Sequence, residues 1–253
     1  KQSRLLLMNY YFWKTQTKEM IKKLLVPIFI LCVISCDQTS SDGKKEDGGP
    51  KNGLVHTYNE DGSLSASINY KNNLRHGLAL DYYKDGKLRA EIDYVNGLKQ
   101  GLAKWYHKNG KIFRTTAYIA DQREGFQKKY YEEGALMSVA EFHENEPGIG
   151  LKEYNKSGQE RKSKAAFVFG EKTPLDNGAV KIEVRLNNKV KEVNIFQGSL
   201  KDGKFMHEGL VDINKTANMG YAIIPKGETE VSVVAKYKTR YKNYRVLHGK
   251  AKL

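Results

Sequence analysis

The sequence predicts an all-β protein, an extended antiparallel sheet of repeated β-hairpins with a 24-residue period followed by a small β-sandwich. Two observations carry the sheet. Gly53, Gly77, Gly101 and Gly125 stand 24 residues apart, and the next place in the series falls on Ile149. Five residues after each place sits a ring (Tyr58, Tyr82, Tyr106, Tyr130, Tyr154), and nine after it another glycine (Gly62, Gly86, Gly110, Gly134, Gly158). A period in this range marks an array of supersecondary units. The sandwich rests on a third observation: beyond residue 178, short apolar runs separated by turn residues continue without the period, as in small antiparallel sandwiches.

The chain is basic, with a net charge of +14, and part of that charge lies in a segment expected to be removed. Residues 1–19 precede Met20 and are read as an upstream extension, although Leu5 to Met8 and Tyr10 to Trp13 are apolar. Residues 20–35 are read as a lipoprotein signal peptide. Lys22 and Lys23 lead into an apolar run from Leu24 to Ile34, which is shorter than the ~20 residues a membrane span needs. Val33-Ile34-Ser35-Cys36 resembles a bacterial lipobox, in which the cysteine thiol is acylated and becomes the new N-terminus. Cys36 is the expected lipidation site. One acyl chain binds only reversibly, so stable anchoring takes at least two, as a lipoprotein cysteine provides. Cleavage before Cys36 removes six basic residues and one acid, and the mature chain keeps a net charge of +9. Cys32 is lost with the signal, leaving no disulfide to staple the fold. Residues 36–52 are polar and charged beyond the cysteine and read as a flexible tether.

Residues 53–160 hold the repeats. Asp61-Gly62, Asp85-Gly86 and Asn109-Gly110 lie between β-rich runs, and glycine supplies the positive φ that tight hairpin turns demand. After each turn, apolar and polar residues alternate: Leu64, Ala66, Ile68 and Tyr70 against Ser65, Ser67 and Asn69. Alternation with period two describes a sheet with one covered face and one wet face. A lone hairpin is marginal in water, so successive hairpins are expected to pair edge to edge. The junctions Tyr70-Lys71-Asn72-Asn73-Leu74-Arg75-His76-Gly77 and Tyr94-Val95-Asn96-Gly97-Leu98-Lys99-Gln100-Gly101 resemble the signature of MORN repeats. The likeness is greatest to the bacterial variant found in antitoxin-like and envelope proteins. It implies a hairpin sheet used for contacts with proteins or membranes, and it brings no catalytic residues. Ala120-Asp121 replaces the Asn-Gly pair, and Glu146-Pro147-Gly148 breaks the following turn, so the last copy and a half are expected to be distorted.

Residues 161–178, with Pro174, Asp176, Asn177 and Gly178, are read as a linker, and residues 179–253 as the sandwich. Strands are expected over Val180 to Leu186, Val193 to Phe196, Leu210 to Ile213, Tyr221 to Ile224, Val231 to Tyr237 and Tyr244 to Leu247. Pro225-Lys226-Gly227 and the run after it are faintly similar to hairpins of immunoglobulin-like or prealbumin-like envelope modules.

Few residues carry chemistry. The six histidines show no close pairing of the kind metal ligands use, and there is no nucleophile elbow, phosphate loop or zinc-protease helix. No cofactor and no metal site are predicted, and the chain does not read as an enzyme. Two surfaces could bind. The first is the row Tyr58, Tyr82, Tyr106 and Tyr130, which either packs as cross-strand pairs on the covered face or offers a groove to a peptide, a glycan or lipid headgroups. Trp105 and Phe113 fall on the opposite parity to Tyr106 and Ile112, which makes them candidates for an exposed contact. The second is a basic-aromatic patch of Lys236, Lys238, Arg240, Lys242 and Arg245, either a solvated hairpin guarding a sheet edge or a site for anionic lipid or an acidic partner. An exported chain rarely meets nucleic acid, so none is expected as a partner. The sequence thus reads as a non-catalytic binding or scaffold module, lipid-anchored in the bacterial cell envelope at the outer membrane or periplasmic face, with a protein partner. An immunity or antitoxin protein that neutralises a toxin is the alternative, and an envelope hydrolase a third and weaker one.

Overall fold

The computed structural model describes residues 51–187, 190 and 193–253. The extension, the signal segment, Cys36 and the tether up to residue 50 lie outside the described residues. Gly48–Leu253 forms one compact unit, all of it strands and turns where described.

The repeats build β1 (Gly53–Tyr58), β2 (Leu64–Lys71), β3 (Leu74–Tyr82), β4 (Leu88–Val95), β5 (Leu98–Lys99), β6 (Gly101–Tyr106), β7 (Ile112–Ile119), β8 (Gln122–Tyr130) and β9 (Leu136–His143). With the short β10 (Glu146–Pro147) and β11 (Lys152–Glu153) they form one 11-stranded antiparallel sheet in chain order. Its two kinds of turn alternate. At one end each hairpin closes on a three-residue loop: the Gly62 amide donates to the Asn59 carbonyl, and the Asn59 amide to the Ser63 carbonyl. The same pair of bonds recurs at Tyr83, His107, Tyr131 and Asn155. At the other end the turns are Asn72-Asn73, Asn96-Gly97, Ala120-Asp121 and Glu144-Asn145, each with both φ positive, the two-residue turn whose twist matches that of paired strands.

Ala120-Asp121 therefore keeps the repeat geometry without its favoured residues, and the expected distortion starts later. The Gly148 amide still donates to the Glu141 carbonyl of β9, and the chain leaves the sheet at Ile149, whose amide donates to the Lys204 carbonyl at 2.9 Å. The chain returns at Lys152, opposite Val139. Alanine at φ 49° sits in a region that is costly for a residue with a Cβ, whereas asparagine tolerates it. Ala120→Asn is expected to stabilise the sheet by about 0.5–1 kcal/mol, seen as a rise in the calorimetric melting temperature.

The 24-residue period has a physical cause on one face of the sheet. Gly53, Gly77, Gly101 and Gly125 all have positive φ and stand directly opposite Tyr70, Tyr94, Tyr118 and Phe142. It is the positive φ, a conformation that a residue with a Cβ rarely adopts, that fixes glycine at this place, and the ring stands across from it on the neighbouring strand. A cation lies over each ring: Lys51 over Tyr70 at 5.0 Å, Arg75 over Tyr94 at 5.3 Å, Lys99 over Tyr118 at 5.3 Å and Arg123 over Phe142 at 4.0 Å. Those four basic residues are themselves 24 apart. Beside this ladder the same face carries small side chains, with Ala66, Ala79, Ala90 and Ala103 buried.

The rest of the chain forms two four-stranded sheets. One runs β12 (Phe167–Pro174), β13 (Val180–Leu186), β17 (Met219–Ile224), β16 (Asn214–Thr216), and the other β15 (Val211–Asp212), β14 (Asn194–Gln197), β18 (Glu230–Lys238), β19 (Tyr244–Lys252). Ile182, Val184 and Ile224 of the first meet Ile195, Val233 and Ala235 of the second in one core, all fully buried. Each fully buried Ile or Val side chain contributes about 1.5–3 kcal/mol. Strand β12 lies within the stretch 161–178 and pairs with β13 across the turn at Asp176-Asn177-Gly178.

Candidate functional site

The first arm of each of the first four hairpins carries an apolar residue just after the glycine of the 24-residue series: Leu54, Leu78, Leu102 and Phe126. Their cross-strand partners are Asn69, Asp93, Ala117 and Glu141. Strand alternation therefore places all four on the face opposite the buried alanines. Nothing among the described residues covers them: they are between 42% and 56% exposed. Neighbouring rungs lie two strands apart, about 9.5 Å. Leu74, Val95, Leu98 and Ile119 add exposed apolar surface near the two-residue turns. The row is interleaved with Asn69, Asp93 and Ala117 on the strands between, and a row of exposed apolar residues on one face is a candidate interaction surface.

Polar groups flank the strip on the same face. Lys104 Nζ lies 3.0 Å from Glu91, which stands opposite it across β4 and β6. Burial, with the Glu91 carboxylate beside it, pushes the Tyr106 phenol up to about 12. An unfolded tyrosine ionises near 10, so this contribution to stability is complete below about pH 10 and lost as pH rises to about 12. Tyr106→Phe is expected to flatten the base-side fall in stability, checked by urea midpoints at about pH 9 and about pH 11.

At its C-terminal end the sheet is docked to the sandwich. Glu153 is buried and accepts hydrogen bonds from Thr239 Oγ1 (2.6 Å), Asn243 Nδ2 (2.7 Å) and Arg245 (3.4 Å). Lys129 Nζ donates to the carbonyls of Tyr241 and Lys242, each at 3.3 Å, and burial lowers its pKa. The Tyr131 and Tyr241 hydroxyls are 3.0 Å apart. On the other side Lys204 pairs with Glu141 and Lys201 with Glu144. Leu200, Met206 and Leu210 pack there with Val234, Val246 and Ile149.

These contacts divide the basic-aromatic patch. Arg245 faces Glu153, and Lys236 lies 3.8 Å from Glu146, so both are turned towards the repeat sheet. Lys238, Arg240 and Lys242 are exposed. Lys238 and Arg240 line a groove of about 310 Å³ with Arg161 and Lys162.

The predicted aromatic row is not uniform. Tyr58 is 63% exposed on the terminal strand, whereas Tyr82, Tyr106 and Tyr130 are half-buried. Trp105 is half-buried and shares its face with Ala90 and Arg114, the Arg114 guanidinium stacking 3.8 Å from its ring. Phe113 packs edge-on against His107 at 5.1 Å. The strip itself was missed, although its signal lay in the residue following each glycine of the series.

A cleft of about 740 Å³ lies between the sheet and the sandwich, lined by His143, Glu144, Glu146, Lys201 and Lys236 among others. Two of its acids are paired: Lys201 reaches Glu144 at 2.8 Å, and Lys236 lies 3.8 Å from Glu146. Among the described residues no group of three His, Cys, Asp or Glu could hold a metal ion. No helix among them is long and apolar enough to cross a membrane.

A hairpin array with one covered face and a row of exposed apolar residues on the other defines a repeat-sheet protein, an architecture that suggests a binding or scaffold module. The family described as MORN repeat variant matches residues 51–72, 75–96 and 99–119. These residues are a MORN-repeat segment. A search of curated proteins finds no match to the chain.

Proposed function

We propose that this chain is a non-catalytic binding module of the bacterial envelope, held at a membrane by lipid on Cys36 and engaging a protein partner through its repeat sheet. The observation that carries the reading is the strip of Leu54, Leu78, Leu102 and Phe126, one exposed apolar residue per hairpin on a single face. Four anchors at about 9.5 Å intervals suit an elongated partner better than a small ligand. The anchor is supported by the lipobox-like sequence ending at Cys36, and the mature net charge of +9 suits a surface of anionic lipid.

The test is done in a bacterium expressing the full chain. Metabolic labelling with an alkynyl fatty acid should tag the wild type and leave Cys36→Ala unlabelled and released from membranes. A photo-crosslinking residue placed at Leu102 should capture one discrete protein from native membranes, and the same residue at Lys172 should not. Equal labelling of both chains would end the anchor reading, and capture of bulk membrane proteins alone from either position would end the binding reading.

A further inference from the structure

A repeat array needs its two ends closed, since an open end offers an unpaired strand to any other chain. The C-terminal end is closed here: Pro147 and Gly148 meet Phe205 and Met206, and the sandwich docks behind them. The sandwich edges carry the usual guards. Strand β12 has Glu171, Lys172, Pro174 and a bulge, β15 and β16 are two and three residues long, and β19 carries Arg245, Lys250 and Lys252. Strand β1 has none of these. Among the described residues it pairs with β2 on one side only, and its six residues, Gly-Leu-Val-His-Thr-Tyr, include no Lys, Arg, Asp, Glu or Pro. All but Val55 are exposed.

We propose that β1 pairs antiparallel with β1 of a second copy of this chain, joining two repeat sheets into one. The contact goes beyond the binding role of the strip and does not depend on it, but it rests on the membrane anchorage proposed above. A two-fold axis between antiparallel strands runs perpendicular to the sheet, so residues of one face must meet residues of the same face. The axis therefore passes beside either Val55 or His56. Only the His56 register sets Leu54, 56% exposed, against Tyr58 of the second copy, 63% exposed. It also brings Lys51 towards Asp61 of the second copy, and each pairing occurs twice. The Val55 register would instead set Leu54 against His56 and Tyr58 against Asn52. In the joined sheet both apolar strips lie on one side, and four rungs become eight. One short strand pair is small beside the ~1,200–2,000 Å² of stable complexes. The pairing thus belongs to chains held close together, as a common membrane would hold them.

The full chain in detergent micelles tests this by oxidative crosslinking, with the wild type as background. Directly opposed antiparallel residues have Cα atoms about 4.5–5.5 Å apart, within disulfide reach. His56→Cys should give a dimer on non-reducing gels, at least about tenfold more than Leu80→Cys, the same repeat position one hairpin inward. Adding Leu54→Lys with Tyr58→Lys to His56→Cys should abolish the dimer, because like charges then face each other. Leu54→Lys with Tyr58→Glu should restore it. Circular dichroism establishes that each variant is folded. Folded chains that stay monomeric, equal dimer from both cysteines, or a dimer indifferent to the paired lysines would each overturn the proposal.

Discussion

Replacing Glu153 with alanine is expected to destabilise the Gly48–Leu253 unit by about 3–5 kcal/mol, a fall in melting temperature on the order of 10 °C for a unit of this size. The effect is large because the carboxylate serves three donors from the loop and strand that follow β18. Thr239 and Asn243 hold the turn, and Arg245 brings a charge whose side chain is only 14% exposed. Alanine would leave that guanidinium and the Asn243 amide, itself buried, without their acceptor. Breaking a buried pair costs far more than the pair contributes when intact. Glu153→Gln keeps one acceptor oxygen for Thr239 and Asn243 and should lose much less. The readouts are calorimetry and protease resistance at residues 239–245. Equal melting temperatures for wild type and Glu153→Ala would mean that the sheet and sandwich do not depend on this contact.

The same contact shows where the sequence stops being legible. Hairpins, their turns and their edge-to-edge pairing follow from local chemistry, since Asp-Gly and Asn-Gly turns and period-two alternation act over a few residues. The strands of the sandwich were legible for the same reason. Glu153, Thr239 and Asn243 gave no such signal, because a pairing over some ninety residues leaves no local pattern. The basic run from Lys236 to Arg245 reads on its own as a surface patch, and only the docked sheet shows Arg245 and Lys236 turned towards Glu153 and Glu146. Strand β12 was obscured by polar flanks and by its bulge, which interrupts alternation between Phe169 and Lys172. The apolar strip was a different kind of miss. Its residues repeat every 24 positions like the glycines beside them, but the alternation argument was read from the second arm of each hairpin, whereas the strip lies on the first.

Leu78→Glu with Leu102→Glu is expected to reduce partner capture by about thirtyfold or more while leaving the fold intact. The two leucines are 42% and 52% exposed and belong to no buried cluster, so the cost to stability should stay within about 0.5 kcal/mol for Leu102→Glu, opposite Ala117, and within about 1 kcal/mol for Leu78→Glu, which stands opposite Asp93. Binding responds differently. An apolar anchor buried at the centre of an interface is worth about 1–2 kcal/mol, and a carboxylate there must also be stripped of water. Two central rungs together therefore exceed the ~2 kcal/mol that thirtyfold represents. Position decides the sign of a control: Leu80→Glu lies on the same face but off the strip, opposite Glu91, so it should weaken the sheet through like-charge opposition while sparing capture. Melting curves and crosslinked yield, with the photo-crosslinking residue moved to Leu54 and measured on the same preparations, separate the two effects. If the double variant captured its partner as well as wild type at an unchanged melting temperature, the strip would not be the recognition surface, and the exposed cations Lys238, Arg240 and Lys242 would become the next surface to alter.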